Sequence, residues 1–161
     1  MNNKTLAIIK PDSVGKNNVG KILDRILSAG FSVVAMEQRQ LSKSNAQEFY
    51  EIHRQRPFFQ DLVAFMTSGP CVPIVLEKNN AVADFRKIIG STNPEQADIG
   101  TIRKDFAQNV QNNAIHGSDS DENARKEIAF FFPTLQIHIC LLYTSDAADE
   151  GLGVDLGGRR I

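Results

Sequence analysis

Apolar positions fall into short blocks along this chain, with two different rhythms between them. Leu6–Ile9 is an unbroken apolar run stopped by Lys10-Pro11, which predicts a buried strand. Val19, Ile22, Leu23, Ile26 and Leu27 then repeat at the spacing of one helical face, and Gly30 stands where such a helix commonly ends. Phe31–Met36 is β-branched and apolar, a second strand. Ser44-Asn45-Ala46-Gln47 has the spacing of a capping box and predicts a helix carrying Phe49, Tyr50 and Ile52. Pro57 opens another short helical segment, with Phe58, Leu62, Phe65 and Met66 as its apolar positions. Val72–Leu76 has the character of a central strand, although Pro73 inside it cannot donate to a ladder. Ala81–Ile89 is a helix with Val82, Phe85, Ile88 and Ile89 on one side.

From Gly90 to about Asn113 no period is sustained, and a loop this long inside a domain is often functional. Ala114-Ile115-His116 is a short strand. Ser118–Glu122 starts a helix with acidic residues in its first turn, and Ala124, Ile128 and Phe131 face one way. The order predicts a two-layer α+β sandwich on a mostly antiparallel sheet, close to the β-α-β-β-α-β plan with an inserted helical pair. Residues 142–161 break the pattern. They show neither rhythm, are heavy in glycine and aspartate, and resemble translated sequencing-adapter sequence more than protein. The expectation is one domain over 1–141 and a non-native tail.

The length of 161 residues suits one domain with its own core. A formal net charge of -1 lacks the positive excess of an electrostatic nucleic-acid binder, so no specific nucleic acid is expected. Cys71 and Cys140 form no Cys-x-x-Cys pair, and three histidines are too scattered for a zinc pattern. Met1–Lys10 is too short in apolar length for a signal-peptide core or a membrane span. A cytoplasmic protein is the expectation, with no membrane association.

Three groups of residues could carry chemistry. His116-Gly117-Ser118-Asp119-Ser120 precedes a helix. A histidine beside a glycine has room for a ligand to approach, and imidazole is a good nucleophile near neutral pH; the competing reading is a histidine that packs or caps. Glu127 falls at the edge of the inward helical face. There it either orients that imidazole or reaches water. Arg86, Thr92, Arg103 and Lys10 could converge on phosphate oxygens, against the ordinary fate of solvated surface charge. In Arg56-Pro57-Phe58-Phe59, one ring could be core and the other exposed for stacking on a base. Neither a Gly-x-x-x-x-Gly-Lys-Ser/Thr loop nor a protein-kinase signature is present.

Taken together, these stretches resemble the nucleoside diphosphate kinases. The resemblance rests on Thr5–Asp12, Arg56–Phe59, Met66–Pro70, Gly90–Pro94, Gly100–Arg103 and Asn113–Ser120, in this order, and covers about Lys4 to Phe132. It implies a ferredoxin-like fold with a four-stranded antiparallel sheet. It also implies ping-pong transfer of a γ-phosphoryl group between nucleotides through a phosphohistidine on His116. By the same resemblance, Glu127 supported by Ser118 holds the ring, and Lys10 and Tyr50 hold the transferring group. Lys10 and Asn113 lie near the ribose, while Arg86, Thr92 and Arg103 grip the inner phosphates. Phe58 stacks on the base with Val110 opposite. Mg2+ bridges phosphate oxygens mainly through the nucleotide, with no direct protein ligand. A homo-oligomer, tetramer or hexamer, is implied. Two other readings compete: a ferredoxin-like binding module without chemistry, and a catalytically silent relative.

Overall fold

The apolar run Leu6–Ile9 lacks alternation because the strand that holds it is covered on both faces. The computed structural model describes residues 3–135. In it β1 (Lys4–Ile9) pairs with β3 (Val72–Glu77) on one side and β4 (Ile115–Gly117) on the other, and β2 (Ser32–Met36) flanks β3. The order is β2-β3-β1-β4 and every neighbouring pair is antiparallel, the ferredoxin-like arrangement.

Side chains alternate across a strand, so β1 feeds two cores. Ala7 and Ile9 join Ile22, Ile26, Phe85 and Ile89, contributed by α2 (Val19–Ser28) and α5 (Ala81–Ile89). These helices and the sheet form the sandwich. Leu6 and Ile8 join Ala46, Tyr50, Phe59, Val63, Ile128 and Phe131 on the opposite face. That face is covered by the inserted pair, α3 (Lys43–Phe49) and α4 (Phe59–Met66), and by α7 (Asp121–Phe131). Two short helices remain, α1 (Pro11–Gly15) and α6 (Ile102–Phe106). Each fully buried Ile, Leu or Phe in these clusters contributes roughly 1.5–3 kcal/mol from removal of apolar surface from water.

Several expected details differ. Ser42, not Ser44, caps α3: its side chain accepts from Asn45 N at 3.1 Å. Leu41 before the cap and Ala46 inside the helix are buried in one cluster, the arrangement of a hydrophobic staple, and this fixes the start two residues earlier. Ile52 lies beyond α3 in a 3-10 turn (Glu51–His53) and is 72% exposed, so it is no core position. In α4 the inward residues are Phe59, Val63 and Met66, while Phe58 sits at the cap with its ring outside. The segment from Gly90 to Asn113 is not all loop, since it contains α6. Pro73 stands inside β3 with its carbonyl still in use, accepting from Glu37 N at 3.3 Å just past the last residue of β2. The segment 142–161 and Cys140 lie outside the described residues.

Candidate active site

Alternation along β4 decides which way the histidine points. Ile115 and Gly117 face α5, and His116, opposite Ile8, turns to the other face beside α3 and α7. On α7, Ala124, Ile128 and Phe131 are buried and Glu127 stands at the edge of that stripe. Its Oε2 lies 3.0 Å from His116 Nε2. A carboxylate can only accept, so Nε2 is the donor, and in the neutral ring Nδ1 then keeps its lone pair. Ser118 Oγ donates to the same Oε2 at 2.6 Å and itself accepts from Leu6 N at 3.1 Å. One hydroxyl therefore ties the carboxylate to the central strand. The Phe49 ring meets the imidazole edge-on with centroids 5.7 Å apart.

The cationic side chains lie on the same side of the molecule. Lys10 continues the β1 alternation past Ile8, and Nζ donates to Asn113 Oδ1 at 2.6 Å. Burial, then the charge of Arg103, lowers its pKa to about 8. Arg103 donates to the carbonyls of Gly90 and Ile115, each at 2.9 Å, and its Nε is buried without a partner. Burial, then Arg86, lowers its pKa to about 10, so it remains charged near neutrality. Gly90 suits this junction: its φ is +83°, and a Cβ there would lie 2.5 Å from Thr101 Oγ1. The Tyr50 hydroxyl is buried with no protein partner, and burial raises its pKa, so it stays a proton donor.

A cleft of about 510 Å³ collects these groups. His116, Glu127, Lys10, Tyr50, Arg86, Thr92, Arg103 and Asn113 line it, as do Phe58 and Val110. Phe58 is 50% exposed and Val110 54%, so apolar surface is left at the mouth for a flat ligand to cover. Of the residues to which the resemblance gives a role, only Ser118 is outside the lining, because it is fully buried behind Glu127.

Sequence reasoning missed three features. Gly117 lines the cleft but is small for a packing reason as well: a Cβ there would come within 2.8 Å of Phe85 Cδ1, so glycine lets α5 pack on β4. His53 lines the cleft with its ring between those of Tyr50 and Phe58, centroids 6.4 and 5.7 Å away. Asp12 accepts from Ala114 N at 3.1 Å. Nothing in local spacing signals Asp12, since its contact joins segments about a hundred positions apart, whereas His53 is set by the local 3-10 turn between Tyr50 and Phe58. Among the described residues, no group of three or more His, Cys, Asp or Glu side chains could hold a metal ion.

Comparison with known proteins bears on this cleft. The family model for nucleoside diphosphate kinase matches residues 3–137. A nucleoside diphosphate kinase of Salinibacter ruber is 55% identical over 134 residues, 83% of this chain and 94% of the relative. One from a Nitratiruptor species is 58% identical, covering 83% of this chain and 98% of the relative. The crystal structure of the Aquifex aeolicus nucleoside diphosphate kinase superposes with a TM-score of 0.80 at 47% identity, covering 81% of this chain and 94% of that one. A family match that runs through the whole described chain, with relatives more than half identical across it, places this chain in the nucleoside diphosphate kinase family.

Proposed function

We propose that this chain transfers the γ-phosphoryl group of a nucleoside triphosphate, typically ATP, to a nucleoside diphosphate through a phosphohistidine on His116. The observation that carries this reading is the Ser118–Glu127–His116 chain of hydrogen bonds beside buried cations. In the first half-reaction the Nδ1 lone pair attacks the γ-phosphorus. The bond from that phosphorus to the bridging oxygen breaks, and the diphosphate leaves with the electron pair. Charge that develops on the imidazole is offset by Glu127 across the Nε2–H bond. In the second half-reaction a terminal oxygen of another diphosphate attacks, and the P–N pair returns to Nδ1.

Lys10 and the Tyr50 hydroxyl would contact the transferring oxygens, and Arg86, Thr92 and Arg103 the inner phosphates. Such a reaction needs positioning and charge stabilisation more than covalent help from the protein. Lys10 and Asn113, already joined at 2.6 Å, would meet the ribose hydroxyls. Phe58 would stack on the base with Val110 opposite, and stacking tolerates every base because each offers a π-face.

The nucleotide would enter as its Mg2+ complex. The cleft lining fits that arrangement, since its cations Lys10, Arg86 and Arg103 suit phosphate oxygens. Magnesium would neutralise phosphate charge while the protein groups hold the chain of phosphates in line. A cytoplasmic homo-oligomer, tetramer or hexamer, completes the reading. No described helix is long and apolar enough to cross a membrane. Leu27 on α2 and Val33 and Met36 on the flanking strand β2 leave apolar surface that a second copy could cover.

Initial rates at varied ATP and a second diphosphate test the reaction. Parallel double-reciprocal lines are expected from the two half-reactions; intersecting lines would point to direct transfer without a phosphoenzyme.

A further inference from the structure

We propose that Asp12 is a positioning residue for the nucleophile, acting through the backbone at Ala114. The inference rests on His116 being the group that is phosphorylated. Two residues before His116 the chain bends sharply. Ile115 N donates back to Asn113 O at 2.8 Å, a three-residue γ-turn, and Ala114 at its centre has φ +68°. The left-handed region is unfavourable for alanine, and that form of γ-turn is rare and strained. Such a conformation persists only where its surroundings over-determine it.

The surroundings here are one short stretch of chain. Asp12 Oδ2 accepts from Ala114 N at 3.1 Å, and Lys10 N donates to Ala114 O at 2.9 Å. Both peptide groups flanking the strained residue are thus gripped by Lys10–Asp12. What the turn achieves is visible on either side. Before it, the Asn113 side chain reaches Lys10 Nζ; after it, the Ile115 carbonyl receives Arg103 and His116 faces Glu127. The other Asp12 oxygen, Oδ1, is buried with no hydrogen-bond partner. A carboxylate kept only to favour the start of α1 could face water and avoid that cost. Asp12 is absent from the cleft lining, so it touches no substrate: it acts on the nucleophile through the backbone, and its charge separately favours the protonated form of Lys10.

The test compares Asp12→Ala and Asp12→Asn, each in the native and the Ala114→Gly background. Thermal melts establish folding, and the single-turnover rate of phosphoenzyme formation with γ-labelled ATP is the readout. Asp12→Ala should slow labelling at saturating ATP by about 10-fold, as small misplacements of reacting groups do. Asp12→Asn should stay near wild type, because its amide oxygen can accept the same N–H. In the Ala114→Gly background the loss should shrink, since glycine holds positive φ without help. If Asp12→Ala does not melt cooperatively, Asp12→Ser, polar but too short to reach Ala114, takes its place in the comparison. Equal losses in both backgrounds, a loss with Asp12→Asn as large as with Asp12→Ala, or no loss at all would overturn the proposal. If the wild-type chain itself does not label, the proposal and the reading of His116 fall together.

Discussion

Glu127 sets the chemistry of His116 by selecting which ring nitrogen holds the proton. With Nε2–H directed at the carboxylate, Nδ1 is the atom available to a phosphorus centre. Glu127→Ala is therefore expected to slow phosphoenzyme formation by roughly 10²-fold, with nucleotide affinity largely kept, because the phosphate contacts lie elsewhere. A stopped-flow measurement separates the two quantities; a change confined to affinity would contradict the assignment. Lys10 makes a second expectation. With its pKa lowered to about 8, mainly by burial, it is charged below that pH and neutral above it. ADP affinity should weaken as pH rises through about 8, and Lys10→Gln should lose that dependence. Stability should move oppositely. The unfolded side chain keeps its proton to about 10.4, so between about pH 8 and that value the unfolded chain binds more protons and Lys10 adds stability as pH rises. Calorimetric titration of ADP and thermal melts on either side of pH 8 read both. At this scale His116 and Glu127 were legible from spacing as a pair with alternatives. Helical period alone placed Glu127 at the edge of the buried stripe. Ser118 bridging Glu127 to Leu6, and Asp12 reaching Ala114, were not, because each joins residues about a hundred positions apart.

Elements were read well where one rhythm ran long enough. The faces of α2, α5 and α7 agree with the buried residues Ile22 and Ile26, Phe85 and Ile89, and Ala124, Ile128 and Phe131, while Leu27, expected on the α2 face, is 48% exposed. Short elements were read less well. α6 has five residues and offers too few positions to declare a period, and α1 is no longer. The rings of Phe58 and Phe59 are adjacent, and only packing decides that Phe59 enters the core. Gly117 gives the clearest test at this scale. Its missing Cβ is where α5 approaches β4, so Gly117→Ala should overpack the contact with Phe85 and lower stability by about 1–3 kcal/mol. Denaturant unfolding measures it. An unchanged midpoint would return the glycine to a role in ligand access. Ser120 caps α7 by accepting from Asn123 N at 3.1 Å, and Ser120→Ala should cost about 1 kcal/mol in the same assay.

Across the whole molecule, the site lies where β1 and β4, α3, α7 and the segment from Gly90 to Asn113 meet, so no single stretch of sequence contains it. The order of elements made the antiparallel sheet legible. Coverage of its second face by the helical pair and α7 was foreshadowed only by the missing alternation in β1. For Lys10 and Arg103 the reading of surface charge was open until burial decided otherwise, at 7% and 8% exposed; Arg86 lines the same cleft but stays exposed. If Phe58 supplies a base-independent platform, Phe58→Ala should weaken purine and pyrimidine nucleotides alike, by about 1–3 kcal/mol in kcat/KM; loss for one base alone would mean edge recognition instead. The most direct measurement of the central claim is incubation with γ-labelled ATP and magnesium, comparing the wild-type chain with His116→Gln. The account expects acid-labile, alkali-stable label on the wild type alone, discharged by any added nucleoside diphosphate. Two folded proteins that both fail to label, or equal label on the variant, would contradict it.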